Sequence, residues 1–159
     1  MKKRRAWRII LLIVVTLSVA FLFAIFLESF RTIVSPEEFT SRMEEAGYTV
    51  EEKTPPFEQV LIYLVADCDA FYVEFLVHET MADARLTFRQ LRSDLEQVGD
   101  ILAFTWSSSG FNSWYSQITS DRQIGRIIRV RNTIIFVSTT EENAINVADV
   151  LEMLGQQIA

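Results

Sequence analysis

The sequence predicts an α+β fold, in which an N-terminal transmembrane helix is followed by a mainly antiparallel sheet with helices packed on one face. Three observations support this prediction. An uncharged apolar run covers residues 9–27. Beyond it, β-rich runs occur in hairpin pairs, and each pair is followed by a stretch with apolar residues at helical spacing. Because this order occurs over residues 59–98 and again over 113–156, the pattern also suggests a β-β-α duplication.

Composition excludes several classes of protein. The chain has 159 residues, of which 50% are hydrophobic, with five Gly, three Pro and one Cys. Collagen-like, disordered and disulfide-rich proteins do not have this composition. The charge is divided unevenly: residues 1–8 carry five Lys or Arg and no acid, whereas residues 28–159 have a net charge of −11. A basic head, an apolar run and an acidic body together indicate a membrane protein.

The apolar run has the length of a membrane span. Its 19 residues at about 1.5 Å of rise each would cross the ~30 Å hydrocarbon layer. The basic head at residues 1–8 outweighs the single Arg31 after the run, so the positive-inside rule places the N-terminus in the cytoplasm. We therefore expect a cell-membrane protein with a short linker at residues 28–35 and an extracytoplasmic domain at residues 36–159.

Two further interpretations concern the same segment. A signal peptide cleaved after Ala20 would export the same domain without the anchor. Thr16, Ala20 and Ala24 recur at every fourth position, so they would form a small-residue face on which two membrane helices could pack. The chain has one Cys and no Asn-x-Ser/Thr site, and this favours a bacterial cell membrane over the secretory pathway.

The outer domain begins with a well-marked helix. Ser35 is suited to the N-cap, Pro36 to the first helical position and Glu38 to a capping box. The helix is predicted to end near Ala46, because Gly47 suits the left-handed position that follows a last turn.

The remaining elements follow from hydrophobic periodicity and turn residues. A second helix is predicted to begin at Thr80, with Asp83 in its first turn, and to end at Gly99. Ser107 to Gly110 read as a flexible loop. The predicted strands are residues 59–66, 71–78, 101–106, 113–119, 124–131 and 133–138, and the last helix is predicted from Thr139 to Leu154.

Few residues offer chemistry. His78 and Cys68 are the only residues of their types, and Lys53 is the only Lys beyond the basic head. A Cys/His zinc site, a phosphate-binding Gly-rich loop and a GxSxG nucleophile elbow are therefore excluded. Asp67 and Asp69 flank a predicted turn and are interpreted as turn residues rather than Ca²⁺ ligands. We expect no catalytic residues, no metal and no cofactor.

Two groups of residues are candidates for binding. Large amphipathic rings surround the Ser-rich loop, and these are either a ligand surface within residues 104–115 or a core beneath the loop. Arginines on the second helix and the last hairpin either contact an anionic surface or form solvated ion pairs such as Arg92 with Glu96. The rings are Trp106, Phe111, Trp114 and Tyr115, and the arginines are Arg85, Arg89, Arg92, Arg126, Arg129 and Arg131. Nucleic acid is not an expected partner of so acidic a domain.

Residues 34–154 contain segments in a familiar order: VSPEEFTSRMEEAGYTV, then DCDAFYVEFLVHETMADARLTF, then RVRNTIIFVSTT and a closing helix. This order resembles small membrane-anchored or lipoprotein-like bacterial extracytoplasmic proteins of uncharacterised function. The resemblance implies no activity. Lipoprotein members would have a lipid-modified Cys after the signal, which this chain lacks.

These observations favour a non-catalytic interaction or sensing module, held on the bilayer by one helix, whose partner is an envelope protein or a second copy. The argument rests on strand residues that are apolar on both faces, one of which a partner would cover. The alternative is a domain that binds a small ligand or a cell-wall polymer through residues 104–115. A third interpretation, a carboxylate-based hydrolase, requires two acids facing each other in a cleft.

Overall fold

The computed structural model describes residues 34–156 and, nearer the N-terminus, residues 13, 14 and 16. The basic head, the membrane helix and the linker predicted over residues 1–35 lie largely outside the described residues. Ala20 and Ala24 are outside them as well, whereas Thr16 is described and is helical. Among the described residues, no helix combines the length and the apolar character that a membrane crossing requires.

Residues 34–156 contain three α-helices and seven strands. In chain order these are α1 (Pro36–Glu45), β1 (Thr49–Glu52), β2 (Val60–Asp67), β3 (Tyr72–His78), α2 (Met81–Glu96), β4 (Ile101–Ser108), β5 (Asn112–Thr119), β6 (Gln123–Val130), β7 (Thr133–Thr140), a 3-10 turn (Glu141–Asn143) and α3 (Ala144–Met153).

All seven strands belong to one antiparallel sheet, with the order β1-β2-β3-β7-β6-β5-β4. Strands β1 to β3 and strands β4 to β7 each form a meander, and the pairing of β3 with β7 joins the two. The sheet therefore has two edges: β1, which has four residues, and β4, which has eight. The predicted α+β class and antiparallel sheet are confirmed.

Helices cover both faces of this sheet, so the prediction that they pack on one face is wrong. Phe39 of α1 and Leu151 of α3 belong to one core cluster, together with Val73 and Phe75 of β3. Leu76 of the same strand belongs to a second cluster under α2. Because the central strands are apolar on both faces, each face needs its own layer of helix to remove it from water.

The suggested duplication is not seen in the packing. A hairpin followed by a helix does occur twice, as β2-β3-α2 and as β6-β7-α3. The two helices nevertheless lie on opposite faces of the sheet. A repeated packing unit about the antiparallel β3–β7 pair would keep both helices on the same face.

Local signals predicted the starts of the first two helices correctly, whereas the last helix begins at Ala144 rather than at Thr139, which belongs to β7. The Ser35 side chain accepts a hydrogen bond from the Glu38 N–H at 3.1 Å, and the Thr80 side chain accepts one from the Asp83 N–H at 3.2 Å. Gly47, with φ of 90°, occupies the left-handed position after α1. Two strand regions differ from the prediction, because β1 was not expected and β4 continues through Ser108 into the predicted loop.

Candidate functional site

The candidate site is a cavity of about 330 Å³ between α2 and the strands at the β4 end of the sheet, which we call the arginine pocket. It draws its lining from one helix and three strands. The lining residues are Arg85, Phe88, Arg89 and Arg92 of α2, Trp106 and Ser108 of β4, Ser113 of β5 and Arg129 of β6. Four of the nine Lys and Arg residues in the segment 34–156 meet here, although that segment contains 20 Asp and Glu. No carboxylate is among the lining residues.

Arg129 is the buried cation of the pocket, with 1% of its surface exposed. Its Nη1 donates to the carbonyl oxygens of Phe111 at 2.9 Å and Arg131 at 3.0 Å. Its Nη2 donates to the Ser109 carbonyl oxygen at 3.3 Å and to Ser113 Oγ at 2.9 Å. These acceptors are neutral, and the buried Nε has no hydrogen-bond partner. The guanidinium is thus held in place without an opposite charge on any group that it contacts.

The three arginines of α2 occupy one side of the helix, because their spacings of three and four residues place them together. Arg85 donates from Nη2 to the carbonyl oxygen of Gly110. Arg92 forms an ion pair with Glu96, with Nε and Oε1 2.8 Å apart. Its guanidinium carbon also lies 4.8 Å from the centre of the Trp106 ring, which is cation–π distance. No ion pair is found for Arg89 among the described residues.

A polar network beneath the pocket fixes α2 against the sheet. The buried Tyr115 hydroxyl donates to Gln117 Oε1 at 2.7 Å, and Gln117 Nε2 donates to the Leu95 carbonyl oxygen at 2.6 Å. The Phe104 ring stacks on that of Tyr115 with 6.4 Å between their centres. The last turn of α2 is therefore tied to β5, so the arginines of α2 face the pocket on a fixed support.

The electrostatics agree with an uncompensated positive site. Burial, and then repulsion from Arg85, lower the pKa of Arg129 to about 10. Arg129 is still charged at neutral pH. Burial also raises the pKa of Tyr115, so this phenol stays neutral and acts as a hydrogen-bond donor. A cavity with four guanidinium groups and one Glu partner is suited to an anion, and planar guanidinium groups bind carboxylate and phosphate oxygens well.

The structure separates the four predicted aromatic residues. Trp106 lines the pocket and is 51% exposed, and Tyr115 lies buried beneath it. Phe111 lies in the β4–β5 turn, and its carbonyl oxygen, rather than its ring, accepts from Arg129. Trp114 points to the opposite face, because it pairs with Ile128, a residue of the other core cluster.

The six predicted arginines divide in the same way. Arg85, Arg89, Arg92 and Arg129 line the pocket, whereas Arg126 pairs with Ser116 and Val137 on the opposite face. Burial lowers the pKa of Arg126. Arg131 lies in the β6–β7 turn with φ of 54°.

Ser108 and Ser113 were not predicted as site residues. Their hydroxyl groups are 2.9 Å apart across the β4–β5 pair, and Ser113 pairs directly with Arg129 in the ladder. The strict alternation of buried and half-buried residues along β5 places Ser113, Tyr115 and Gln117 on the α2 side. Ser108 was missed because the Ser-rich composition of residues 107–110 indicated a loop. Ser113 begins a strand that was predicted, and alternation along that strand was the signal that could have placed it beside Tyr115 and Gln117.

His78 and Cys68 are separate from the pocket. His78 is fully buried, with its Nε2 2.9 Å from Thr87 Oγ1 and its Nδ1 3.3 Å from the Asn132 carbonyl oxygen. Burial lowers the pKa of His78 and raises that of Cys68 to about 12. Within the described ranges, no group of three or more His, Cys, Asp or Glu residues could hold a metal ion.

A second cavity of about 430 Å³ lies on the other side of α2 and is more open to solvent. Its lining includes Phe57, Leu86 and Gln90, with Asp83 and Arg89 as its charged residues. One acid and one base leave no net charge there, and none of its residues is a buried ion. The arginine pocket is therefore the better candidate for recognition of a charged ligand.

Comparisons with known proteins give little further information. No protein-family model matches the chain, and no curated protein matches it. Among solved structures, the chain is similar to a GTP binding regulator from Thermotoga maritima, with 11% identity and a TM-score of 0.48. The match covers 79% of this chain and 90% of the other.

Proposed function

We propose that this chain is a membrane-tethered extracytoplasmic domain that binds an anionic ligand in the arginine pocket and catalyses no reaction. One observation carries the proposal: four guanidinium groups converge on a cavity that no carboxylate lines. Burial and repulsion from Arg85 both disfavour the charged form of Arg129, so the arrangement is costly unless an anion neutralises it. Binding of an anion would remove that repulsion.

The tether and the compartment rest on the sequence. The basic residues 1–8 and the uncharged run at 9–27 support a single span with the N-terminus in the cytoplasm. On the outer side of a bacterial membrane, the anionic groups available include lipid head groups and phosphate- or carboxylate-bearing wall polymers. A pocket that combines Trp106 with arginines suits a ligand that has both an oxyanion and a ring or sugar.

An interaction module is the second candidate. The sequence favoured an interaction module because a partner would cover one apolar face of the strands. Helices of the chain itself occupy both faces, so this argument no longer applies. The edge strand β4 gives it another argument, because Leu102, Phe104 and Trp106 are each more than half exposed. A binding domain and an interaction module can share this end of the sheet.

Anion binding is tested with the full chain in detergent. Inorganic phosphate is the probe, phenyl phosphate adds a ring that can contact Trp106, and thermal unfolding is the readout. A ligand that binds only the folded chain stabilises it by about 2.7 kcal/mol at 100 times its Kd. We expect both phosphates to raise the unfolding temperature and phenyl phosphate to act at the lower concentration.

Arg89→Gln is the diagnostic variant, because Arg89 is exposed and has no ion pair among the described residues, so we expect the substitution to leave the fold intact. Arg122→Gln is the matched control, since Arg122 is a highly exposed arginine in the β5–β6 turn, paired with Glu141. We expect Arg89→Gln to weaken the phosphate effect and Arg122→Gln to leave it unchanged. An equal phosphate response in the two variants would contradict the proposal.

A further inference from the structure

Among residues 34–156, β4 pairs with β5 on one side and with no strand on the other, so its outer edge carries backbone groups that no described strand binds. At its end, the Ser109 N–H donates to the Asn112 carbonyl oxygen at 2.6 Å. In an antiparallel ladder, alternate residues direct their N–H and C=O groups to the same neighbour. The backbone groups of Ser107 and Thr105 therefore face β5, and those of Phe104, Trp106 and Ser108 face outward.

Over residues 103–108 this edge is free of the charges, Pro residues and bulges that usually block strand addition. No charged residue and no Pro occurs in Ile101–Ser108. Natural edge strands are commonly short, charged, bulged or covered. β1 at the other edge fits that description, with four residues that include Glu51 and Glu52. The one irregularity of β4 is a register shift between Ile101 and Ala103, which leaves residues 103–108 regular.

We propose that β4 pairs antiparallel with β4 of a second copy, on a two-fold axis through Thr105. In this register the outward backbone groups of Phe104 bond to those of Trp106 in the second copy, and the reverse bonds form by symmetry. Phe104 and Trp106 share one face of the sheet, since they pair with Gln117 and Tyr115 of β5. Each interface then contains two aromatic cross-strand pairs, which stabilise neighbouring strands.

A second copy fits this edge better than an unrelated strand does. An antiparallel edge is self-complementary, and two uncharged strands meet without repulsion. The ends also match in charge: Asp100 precedes β4, whereas Arg85 contacts Gly110 just beyond its other end. Antiparallel pairing places Asp100 of each copy toward the Arg85 end of the other. At the β1 edge, self-pairing would instead bring Glu residues together.

Disulfide trapping in native membranes tests the register. The full chain carries Thr105→Cys in a Cys68→Ala background, and a mild oxidant is added. Directly opposed residues on the two-fold axis have Cβ atoms roughly 4.5–5.5 Å apart, close enough for a disulfide after small adjustments. Thr49→Cys in the same background is the matched control, because Thr49 is an exposed Thr on the β1 edge. We expect a covalent dimer from Thr105→Cys at least ten times more abundant than from Thr49→Cys.

A second variant tests association without a cross-link. Thr105→Lys places two like charges together on the axis, while the Thr105 side chain points away from the face that carries Trp106. We expect this variant to lose the dimer seen by light scattering of the full chain in detergent and to keep its phosphate response. Equal trapping at Thr49 and Thr105, trapping to a different protein, or an unchanged mass for Thr105→Lys would each overturn the proposal. A phosphate response that Arg89→Gln fully retains would contradict anion binding in the arginine pocket but would leave the dimer test unaffected, so the two proposals fail separately.

Discussion

Arg129 shows how a buried cation can be held in place without a partner of opposite charge within residues 34–156. Its four hydrogen bonds all go to neutral acceptors in or beside the β4–β5 and β6–β7 turns. They hold the side chain and lower the cost of burying it, but they do not neutralise its charge. The sequence shows that Arg129 lies in an apolar strand. It does not show that the strand places this residue opposite Ser113, because that register depends on a strand pairing.

Arg129→Gln tests separately whether this residue stabilises the fold and whether it binds the anion. We expect the free energy of unfolding to fall by about 1–3 kcal/mol, because turn carbonyl oxygens lose a buried donor. We also expect phosphate to have no remaining effect on the unfolding temperature. Denaturant unfolding measures the free energy of unfolding, and thermal unfolding with and without phosphate measures the phosphate effect. Retention of the full phosphate effect would show that the anion does not reach Arg129.

His78 makes stability depend on pH. Burial depresses its pKa in the folded state, outweighing the opposing effects of the Asn132 carbonyl oxygen and Asp83. The unfolded chain, with a pKa of about 6.5, therefore takes up a proton before the folded chain does. The contribution of neutral His78 to stability is complete above about pH 6.5 and is lost as the pH falls below that value.

His78→Gln tests this dependence, because Gln keeps a group that can bond to Thr87 but does not titrate. Above pH 7 we expect the variant to be less stable than the wild type, since its fit is poorer. Between pH 7.5 and 5.5 the difference in unfolding free energy should narrow, because only the wild type loses the His78 contribution. Parallel curves over that interval would show that His78 is not the titrating group. Burial also raises the pKa of Glu74, but this does not affect the comparison because both chains contain Glu74.

At the scale of elements, short-range signals predicted the first two helices and two hairpins but not the start of the last helix, and they gave no information on the pairing of distant strands. Both helix caps and the β2–β3 and β6–β7 hairpins depend on residues close together in sequence, so composition and spacing predict them. The pairing of β3 with β7 joins Tyr72 to Ser138, and nothing local encodes it. This pairing places β3 and β7 in the middle of one sheet. Because these strands are apolar on both faces, helices cover both faces. The extension of β4 through Ser108 likewise depends on β5.

The packing of α2 against the sheet gives a prediction at the scale of elements. A Cβ added at Gly125 would lie 2.6 Å from both methyl carbons of Leu95, a buried residue of the last turn of α2. We expect Gly125→Ala to destabilise the fold by about 1–3 kcal/mol through overpacking. In a Leu95→Ala background the same substitution should cost less, because the space that Leu95 leaves admits the new methyl group. Urea unfolding of the two single variants and the double variant measures this coupling, and additive effects would argue against the close contact.

The charge distribution of the whole molecule has a local exception. Residues 28–159 have a net charge of −11, yet four arginines share one cavity. The total charge could be read from the sequence, and so could the spacing of Arg85, Arg89 and Arg92 along α2. The position of Arg129 beside these three arginines could not be read from the sequence. It requires β6 to lie beneath α2, in a sheet whose strand order depends on non-local pairing. A domain that repels anions overall can still bind one where the local field is positive.

The orientation of the chain in the membrane is the prediction on which the compartment of the pocket depends. The basic residues of the head, four of them at positions 2–5, should hold the N-terminus in the cytoplasm, because Lys and Arg near a span resist translocation. A phosphatase reporter that matures only outside the cytoplasm, fused after residue 159, should be active and should stay with the membrane fraction. Replacing residues 2–5 by Gln should reduce that activity, whereas Arg31→Gln should not, since Arg31 lies on the translocated side. A fusion active only in the cytosol would remove the extracytoplasmic ligands from consideration, and a shortened, released product would indicate cleavage after Ala20.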